Sequence, residues 1–290
     1  MNQIIAEILR EGAEILVKSN SPDSRRDARL LLGEVLGKSL TALIAHDDQP
    51  VDDQSLNQFR TLINRRAAGE PLQYIVGKTE FYGLEFEVNR NVLIPRPETE
   101  LLVEIALEIL GGKENQTFCD VGTGSGCISI SIVKNAPAAR AIALDISPAA
   151  LAVAQRNAEK HGVPDKIQFL ESNIFSAFKH LPLTAHRSPL SLIVSNPPYI
   201  PAGDEPTLQR EVRLFEPQTA LFAGVDGLDV VKRLLADAPA FLADKGFLAF
   251  EIGFGQSESV KSLIDRDVWR LHEIRLDLQS IGRVVVLEKK

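Results

Sequence analysis

The apolar run Leu190-Ser191-Leu192-Ile193-Val194 leads, after one serine, into Asn196-Pro197-Pro198-Tyr199. The run reads as a buried strand. Two prolines at a strand end stop the hydrogen-bond ladder and stiffen the backbone. One amide side chain and one aromatic ring are thereby fixed at the carboxyl edge of a sheet. In open α/β folds, ligands bind at this edge. A rigid amide beside a flat ring suits recognition of a planar NH2 group.

The pattern around this run is one of alternating strands and helices. Candidate strands are Thr117–Val121, Ala141–Asp145, Ile167–Glu171, Leu190–Val194 and Phe247–Ile252. Helical stretches, including Pro148–Lys160 and Leu228–Ala243, separate most of them. Two further strands, near Arg270–Leu276 and Arg283–Glu288, have only a turn between them. The expected fold class is therefore α/β: a seven-stranded, mostly parallel sheet with an antiparallel final hairpin.

Upstream the period is helical. Ile4, Ile5, Ile8, Leu9 and Leu16 share one stripe. Ser21-Pro22 predicts an N-cap with proline at the first helical position. Ala28, Leu31, Leu32, Val35 and Leu36 form the next stripe, and Leu56, Phe59, Leu62 and Ile63 a third. Residues 1–80 are thus expected to form a small all-α bundle. Residues 81–95 form a linking β-hairpin in this reading, because Leu84, Phe86 and Val88 alternate with Glu85 and Glu87. Residues 96–290 form the α/β domain, starting with a helix through Leu101, Leu102, Ile105 and Ile109 that Gly111-Gly112 closes.

Composition narrows the function classes. The formal charge of −7 over 290 residues supplies no global basic field for nucleic acid or anionic lipid. No apolar run approaches the roughly 20 residues of a membrane span, and Met1 to Arg10 lacks the basic start and apolar stretch of a signal peptide. Cys119 and Cys127 flank a glycine-rich turn in apolar surroundings and read as buried, reduced thiols, which fits a cytoplasmic location. His180 and His186 fall in an expected exposed loop, His180–Pro189, without partners at ligand spacing, so no metal site is expected.

Asp120-Val121-Gly122-Thr123-Gly124-Ser125-Gly126 follows the first sheet strand and opens a helix. Glycines there permit a tight turn and let a ligand approach the backbone. Asp145 ends the next strand, 19 residues past Gly126. A carboxylate there can accept hydrogen bonds from both hydroxyls of a ribose, as in nicotinamide and S-adenosylmethionine sites. The glycine spacing separates the two: here it is G-x-G-x-G, not the G-x-G-x-x-G of dinucleotide binding. With no pyrophosphate to cradle, S-adenosylmethionine is the expected cofactor. Asp120 could order the turn or meet the amino-acid end of that cofactor.

The tetrapeptide then suggests the acceptor. An amide or nucleobase nitrogen is a poor nucleophile because its lone pair is delocalised. Asn196 can accept a hydrogen bond from such an NH2 through its side-chain oxygen, and the Pro197 carbonyl can accept another. Tyr199 would pack on the planar group. A sulfonium leaving group needs no acid, so positioning should supply most of the acceleration.

This constellation resembles the class I, Rossmann-like methyltransferases that modify exocyclic amino groups and glutamine amides. Within them the whole chain resembles the HemK/PrmC family of release factor glutamine methyltransferases. The signatures are Phe81-Tyr82-Gly83-Leu84, Leu93-Ile94-Pro95-Arg96-Pro97-Glu98-Thr99-Glu100, Glu216-Pro217 with Ala220-Leu221, Asp226-Gly227-Leu228, Glu251-Ile252-Gly253, and Asp277 with Arg283-Val284-Val285. The run from Pro95 to Glu100 is the most family-specific of these.

The resemblance implies transfer of a methyl group to the glutamine of the Gly-Gly-Gln loop in bacterial class 1 release factors. It implies that the helical domain helps hold that protein partner, with no direct nucleic acid or membrane partner. The expected catalytic set is Asn196, Pro197 and Tyr199, and substrate contacts add Pro198. Cofactor contacts are Gly122, Thr123, Gly124, Ser125, Gly126, Asp145, Asn173, Ile174 and Asn196, with Glu98 and Thr99 expected nearby. Asn173 departs from the acidic residue the family often has there beside the adenine, and Ile174 stands at its apolar or aromatic position. Two other readings stay open on the residues: a nucleic acid amino methyltransferase acting on adenine N6 or guanine N2, and a non-catalytic binding module.

Overall fold

The computed structural model describes residues 3–112, 115–179 and 189–290. The expected loop His180–Pro189, with His180 and His186, lies almost wholly outside the described residues. The chain divides into two compact units.

The first unit holds the described residues up to Lys78 together with Leu208–Phe215. Its helices are α1 (Ile5–Lys18), α2 (Ser24–Leu36), α3 (Leu40–Ala45), α4 (Asp53–Ala67) and α5 (Leu72–Val76). The expected stripes face inward: Ile5, Ile8 and Leu16 from α1, Leu31 and Leu32 from α2, and Phe59 and Ile63 from α4 are buried in one cluster. α1 and α4 approach closely at Gly12, where a Cβ would meet the Phe59 ring at 2.6 Å.

α2 starts two residues later than Ser21-Pro22 predicts, with Asp23 at its N-cap. The reason is local. The Ser21 N–H donates to the Leu16 carbonyl at 3.0 Å, and Asn20 turns left-handed with φ 58°, so these residues close α1 instead. Arg66 of α4 is buried. Its guanidinium donates to Asp27 at 2.7 Å, to the Glu70 carbonyl at 3.0 Å and to Glu211 at 2.6 Å. Glu211 thus ties the short Leu208–Phe215 segment to this helical unit.

The second unit holds Thr79–Thr207 and Glu216–Lys290. A two-stranded hairpin comes first, β1 (Lys78–Phe81) and β2 (Leu84–Glu87). Tyr82 and Gly83, both left-handed, make its turn. The alternation at Leu84 and Phe86 is strand, whereas Val88 lies just past it. A 3-10 turn at Pro97–Thr99 leads into α6 (Glu100–Leu110).

The α/β alternation comes next: β3 (Thr117–Val121), α7 (Cys127–Asn135), β4 (Arg140–Asp145), α8 (Pro148–Lys160), β5 (Ile167–Glu171) and β6 (Leu190–Ser195). α9 (Arg210–Phe215) belongs to the first unit. α10 (Asp229–Asp237), β7 (Leu242–Glu251), α11 (Ser257–Leu263), β8 (Trp269–Leu276) and β9 (Gly282–Lys289) complete the chain. The helix expected over Leu228–Ala243 is shorter. Pro239 cannot continue it, so a 3-10 turn at Ala238–Ala240 ends it and Leu242 already belongs to β7.

Among the described residues, seven strands form one sheet in the order β5-β4-β3-β6-β7-β9-β8. The first five pair in parallel, and β9 is antiparallel to both β7 and β8. The fold is therefore the mostly parallel α/β sheet with a final antiparallel hairpin that the spacing predicts. Alternate residues feed two apolar layers. Phe118, Leu192, Val194 and Val286 face one, and Cys119, Ile193, Phe250 and Val285 the other. From β3 the chain moves outward through β4 and β5, then returns to place β6 on the other side of β3. That reversal opens a crevice beyond the carboxyl ends of β3 and β6.

Candidate active site

A cavity of about 540 Å³ lies at this reversal. Its size is within the usual range for small-molecule sites. Of the expected site residues, Gly122, Thr123, Gly124, Ser125, Asp145, Asn173, Ile174, Asn196, Pro197 and Pro198 line it. Gly126 and Tyr199 do not.

The glycine loop owes its path to left-handed backbone at Gly122, Gly124 and Gly126, with φ of 75°, 56° and 80°. A Cβ at Gly124 would meet nothing within 4 Å, so open space reaches the backbone there. Gly126 has a packing role: its missing Cβ would sit 3.0 Å from Ile130 and 3.1 Å from Ala154, which lets α7 lie close to α8.

Asp120 is fully buried, and burial pushes its carboxyl up to about 6. One oxygen accepts the Thr123 hydroxyl at 2.7 Å and the Ser129 N–H at 3.2 Å. Asp120 thus orders the turn. Its other oxygen has no hydrogen-bond partner among the described residues.

Asp145 ends β4 beside the loop. Its carboxylate accepts the Gly124 and Ser147 N–H groups, each at 2.9 Å. Burial raises its pKa, and those N–H groups offset only part of the rise. A carboxylate offers about four lone-pair directions, so two remain for a diol. Ile146 comes after it, 55 % exposed, and is an apolar wall of the cavity that sequence reasoning did not single out. Opposite in chemistry is Asn173, whose side-chain oxygen already accepts from Arg233 at 2.9 Å. Ile174 holds φ 56°, an uncommon backbone for a β-branched residue, while its side chain is buried at the cavity wall.

The donor set fits a nucleoside-bearing cofactor. A loop open to close approach, a half-buried carboxylate beside it and an exposed aliphatic side chain match phosphate-free ribose and adenine chemistry.

The Asn-Pro-Pro-Tyr segment is clamped from several sides. The Ser195 hydroxyl donates to the Val121 carbonyl at 2.8 Å, joining the ends of β6 and β3. Ile200 donates to Leu221 at 2.9 Å and accepts from Ala223 at 3.0 Å. Gln256 accepts from the Gly253 N–H at 2.8 Å and donates to the Tyr199 carbonyl at 2.9 Å. A Cβ at Gly227 would overlap that same carbonyl oxygen. The signatures around Ala220, Gly227 and Gly253 therefore share a physical role: they hold the tetrapeptide in place.

Behind Asn196 runs a buried chain of side chains. The Asn196 amide nitrogen donates to the Thr99 hydroxyl at 3.0 Å. The Thr99 hydroxyl donates to Glu251 at 2.7 Å. Thr99 and Glu251 are 2 % and 1 % exposed. Burial pushes the Glu251 carboxyl up to about 7, against the pull of the Thr99 hydrogen bond and Arg283. Burial first, and the Glu251 carboxylate next, hold the Tyr199 hydroxyl well above its ordinary range. Glu98, expected near the cofactor with Thr99, is exposed and outside the cavity lining.

Comparison with known proteins gives the family. A family model described as the PrmC N-terminal domain matches residues 7–77, and one described as a precorrin methyltransferase domain matches residues 101–185. A release factor glutamine methyltransferase of Burkholderia pseudomallei is 43 % identical over 91 % of this chain and 91 % of its own length. One from Geobacter sulfurreducens is 41 % identical over 97 % and 95 %. Among solved structures, the catalytic domain of hMettl16 in complex with an RNA hairpin superposes with a TM-score of 0.56 at 14 % identity, over 82 % of this chain and 81 % of that one, a likeness of fold alone. The two bacterial relatives match along nearly their full lengths. The chain belongs to the release factor glutamine methyltransferase family.

Proposed function

We infer that this protein transfers a methyl group from S-adenosylmethionine to the side-chain amide N5 of the glutamine in the Gly-Gly-Gln loop of class 1 peptide chain release factors. Family membership supports the reaction. The observation that carries it to the residues is the Asn196 amide, whose nitrogen is committed to Thr99 at 3.0 Å. Its oxygen is left to accept from a substrate NH2 at the mouth of the glycine loop.

Bound S-adenosylmethionine supplies a methyl group already activated on a sulfonium. Asp145 would hold the ribose hydroxyls. Gly122 to Gly126 would let the amino-acid end approach the backbone, and Ile146, Ile174 and Asn173 would hold the adenine. Asn196 and the Pro197 carbonyl accept the two N–H bonds of the glutamine amide. They aim its nitrogen and favour the positive charge that grows there as the N–C bond forms and the S–C bond breaks, leaving a neutral thioether, S-adenosylhomocysteine; the nitrogen then sheds one proton to solvent. Holding the nitrogen in line with the methyl group supplies most of the acceleration. Pro198 keeps this segment rigid and confines the planar amide, whereas Tyr199, expected to pack on that amide, lies outside the cavity lining and anchors the segment through its carbonyl to Gln256.

Residues 1–80 serve as the docking module for the release factor in this reading, with 81–95 as linker and 96–290 as the transferase. Labelled S-adenosylmethionine offered with a purified release factor and, separately, with DNA or RNA tests the acceptor. Label is expected on the release factor. Label on nucleic acid, with the protein unmarked, would sink the reading.

A further inference from the structure

An asparagine side chain can present either its oxygen or its nitrogen to a partner, and the two ends have nearly the same shape. Asn196 is useful to an NH2 substrate only when its oxygen faces the cavity. Nothing in Asn196 itself selects that state.

Donor and acceptor logic behind it does. Once Glu251 is ionised, above about pH 7, its carboxylate only accepts hydrogen bonds. A Thr99 hydroxyl at 2.7 Å from Glu251 must then point its single proton at Glu251. To Asn196, 3.0 Å away, it offers a lone pair. Only the Nδ2 end of the amide can answer a lone pair, so the Oδ1 end is turned outward. We propose that Thr99 and Glu251 are positioning residues that set the polarity of the Asn196 amide, a fixed sequence of donors running from Asn196 through Thr99 to Glu251.

The chain is sealed: Thr99 and Glu251 are buried, so water does not compete for the Thr99 hydroxyl. It joins three segments that are distant in sequence, since Thr99 lies 97 residues from Asn196 and 152 from Glu251. It also gives the Pro95–Glu100 run and the Glu251-Ile252-Gly253 run a shared chemical purpose. The proposal rests on the glutamine reading for its kinetic consequence, but the orientation of Asn196 can be read without substrate.

Two substitutions separate shape from polarity. Thr99→Val keeps the volume and removes the hydroxyl, whereas Thr99→Ser keeps the hydroxyl. The side-chain amide of Asn196, tracked by nitrogen–proton NMR in the cofactor-bound protein, should show slowed hydrogen exchange and a contact to the Thr99 methyl group. Thr99→Val should abolish the slowed exchange and Thr99→Ser should retain it. An unchanged Asn196 signal in Thr99→Val overturns the proposal, whatever the acceptor is. With release factor as substrate, Thr99→Val should lower kcat about tenfold, the weight of one neutral hydrogen bond, while cofactor affinity holds and Thr99→Ser restores the rate. In an Asn196→Ala background Thr99→Val should add no further loss, because the two act as one unit. A full additional loss there means Thr99 acts by another route. If the wild-type protein leaves release factor unmethylated, the acceptor reading fails and the NMR result alone decides the proposal.

Discussion

Asn196 and Asp145 sit on the same cavity yet should fail differently when changed. Asn196→Ala removes one preorganised acceptor from the reacting nitrogen. Its turnover should drop on the order of 10²-fold, with cofactor affinity nearly unchanged. Asp145→Ala removes the ribose acceptor and should weaken cofactor binding, read by calorimetric titration. Unchanged affinity there would contradict the ribose assignment. Glu251 adds a pH signature. Its folded carboxyl is raised from 4.5 to about 7, so the folded state holds a proton that the unfolded state has lost across that window. Stability from this group is present below about 4.5 and is lost as pH rises through about 7. Arg283 opposes this shift, and Glu98 reinforces it. Denaturation midpoints measured against pH should therefore fall less steeply for Glu251→Gln than for wild type, while wild-type turnover climbs over the same range as the carboxylate ionises. Asp145 and Asn196 were legible in the sequence because each closes an apolar run. Glu251 was legible only as part of a signature, because periodicity marks it as the end of a strand and says nothing of Thr99.

The elements explain how so short a segment as the tetrapeptide stays rigid. β6 stops at its prolines, and the loops holding Ala220, Gly227 and Gly253 grip the residues beyond them. Gly227 has φ 73°, and its α-carbon faces the Tyr199 carbonyl. Gly227→Ala should therefore displace the Asn-Pro-Pro-Tyr segment, costing about 1–3 kcal/mol of stability from backbone strain alone. Turnover should fall more than cofactor affinity, which paired kinetics and titration would reveal; wild-type kinetics in this variant would refute the clamp. Strands and helices themselves were readable from period and punctuation. Boundaries slipped where a strong local signal served a neighbour. Ser21-Pro22 looked like a helix start, but its backbone is spent closing α1. The Leu228–Ala243 helical period ran across Pro239, where the ring ends the helix and β7 begins.

At the scale of the whole molecule, alternation of strand and helix predicts an open α/β sheet, but not the order of its strands. That order decides function, because the reversal between β3 and β6 brings the glycine loop and the tetrapeptide to one crevice. The grouping of Leu208–Phe215 with the helical unit was equally hidden, since the ion pair from buried Arg66 to partly exposed Glu211 joins residues 145 apart in sequence. Among the described residues no helix is long and apolar enough to cross a membrane. The central claim is that the methyl group goes to one glutamine amide nitrogen. Fragment mass spectrometry of a release factor after incubation with this protein and S-adenosylmethionine tests it directly. The account predicts a single added methyl group on the glutamine of the Gly-Gly-Gln loop, absent when Asn196→Ala is used for the same time. A methyl group on any other residue, or an unmodified glutamine after complete turnover of the cofactor, would contradict it.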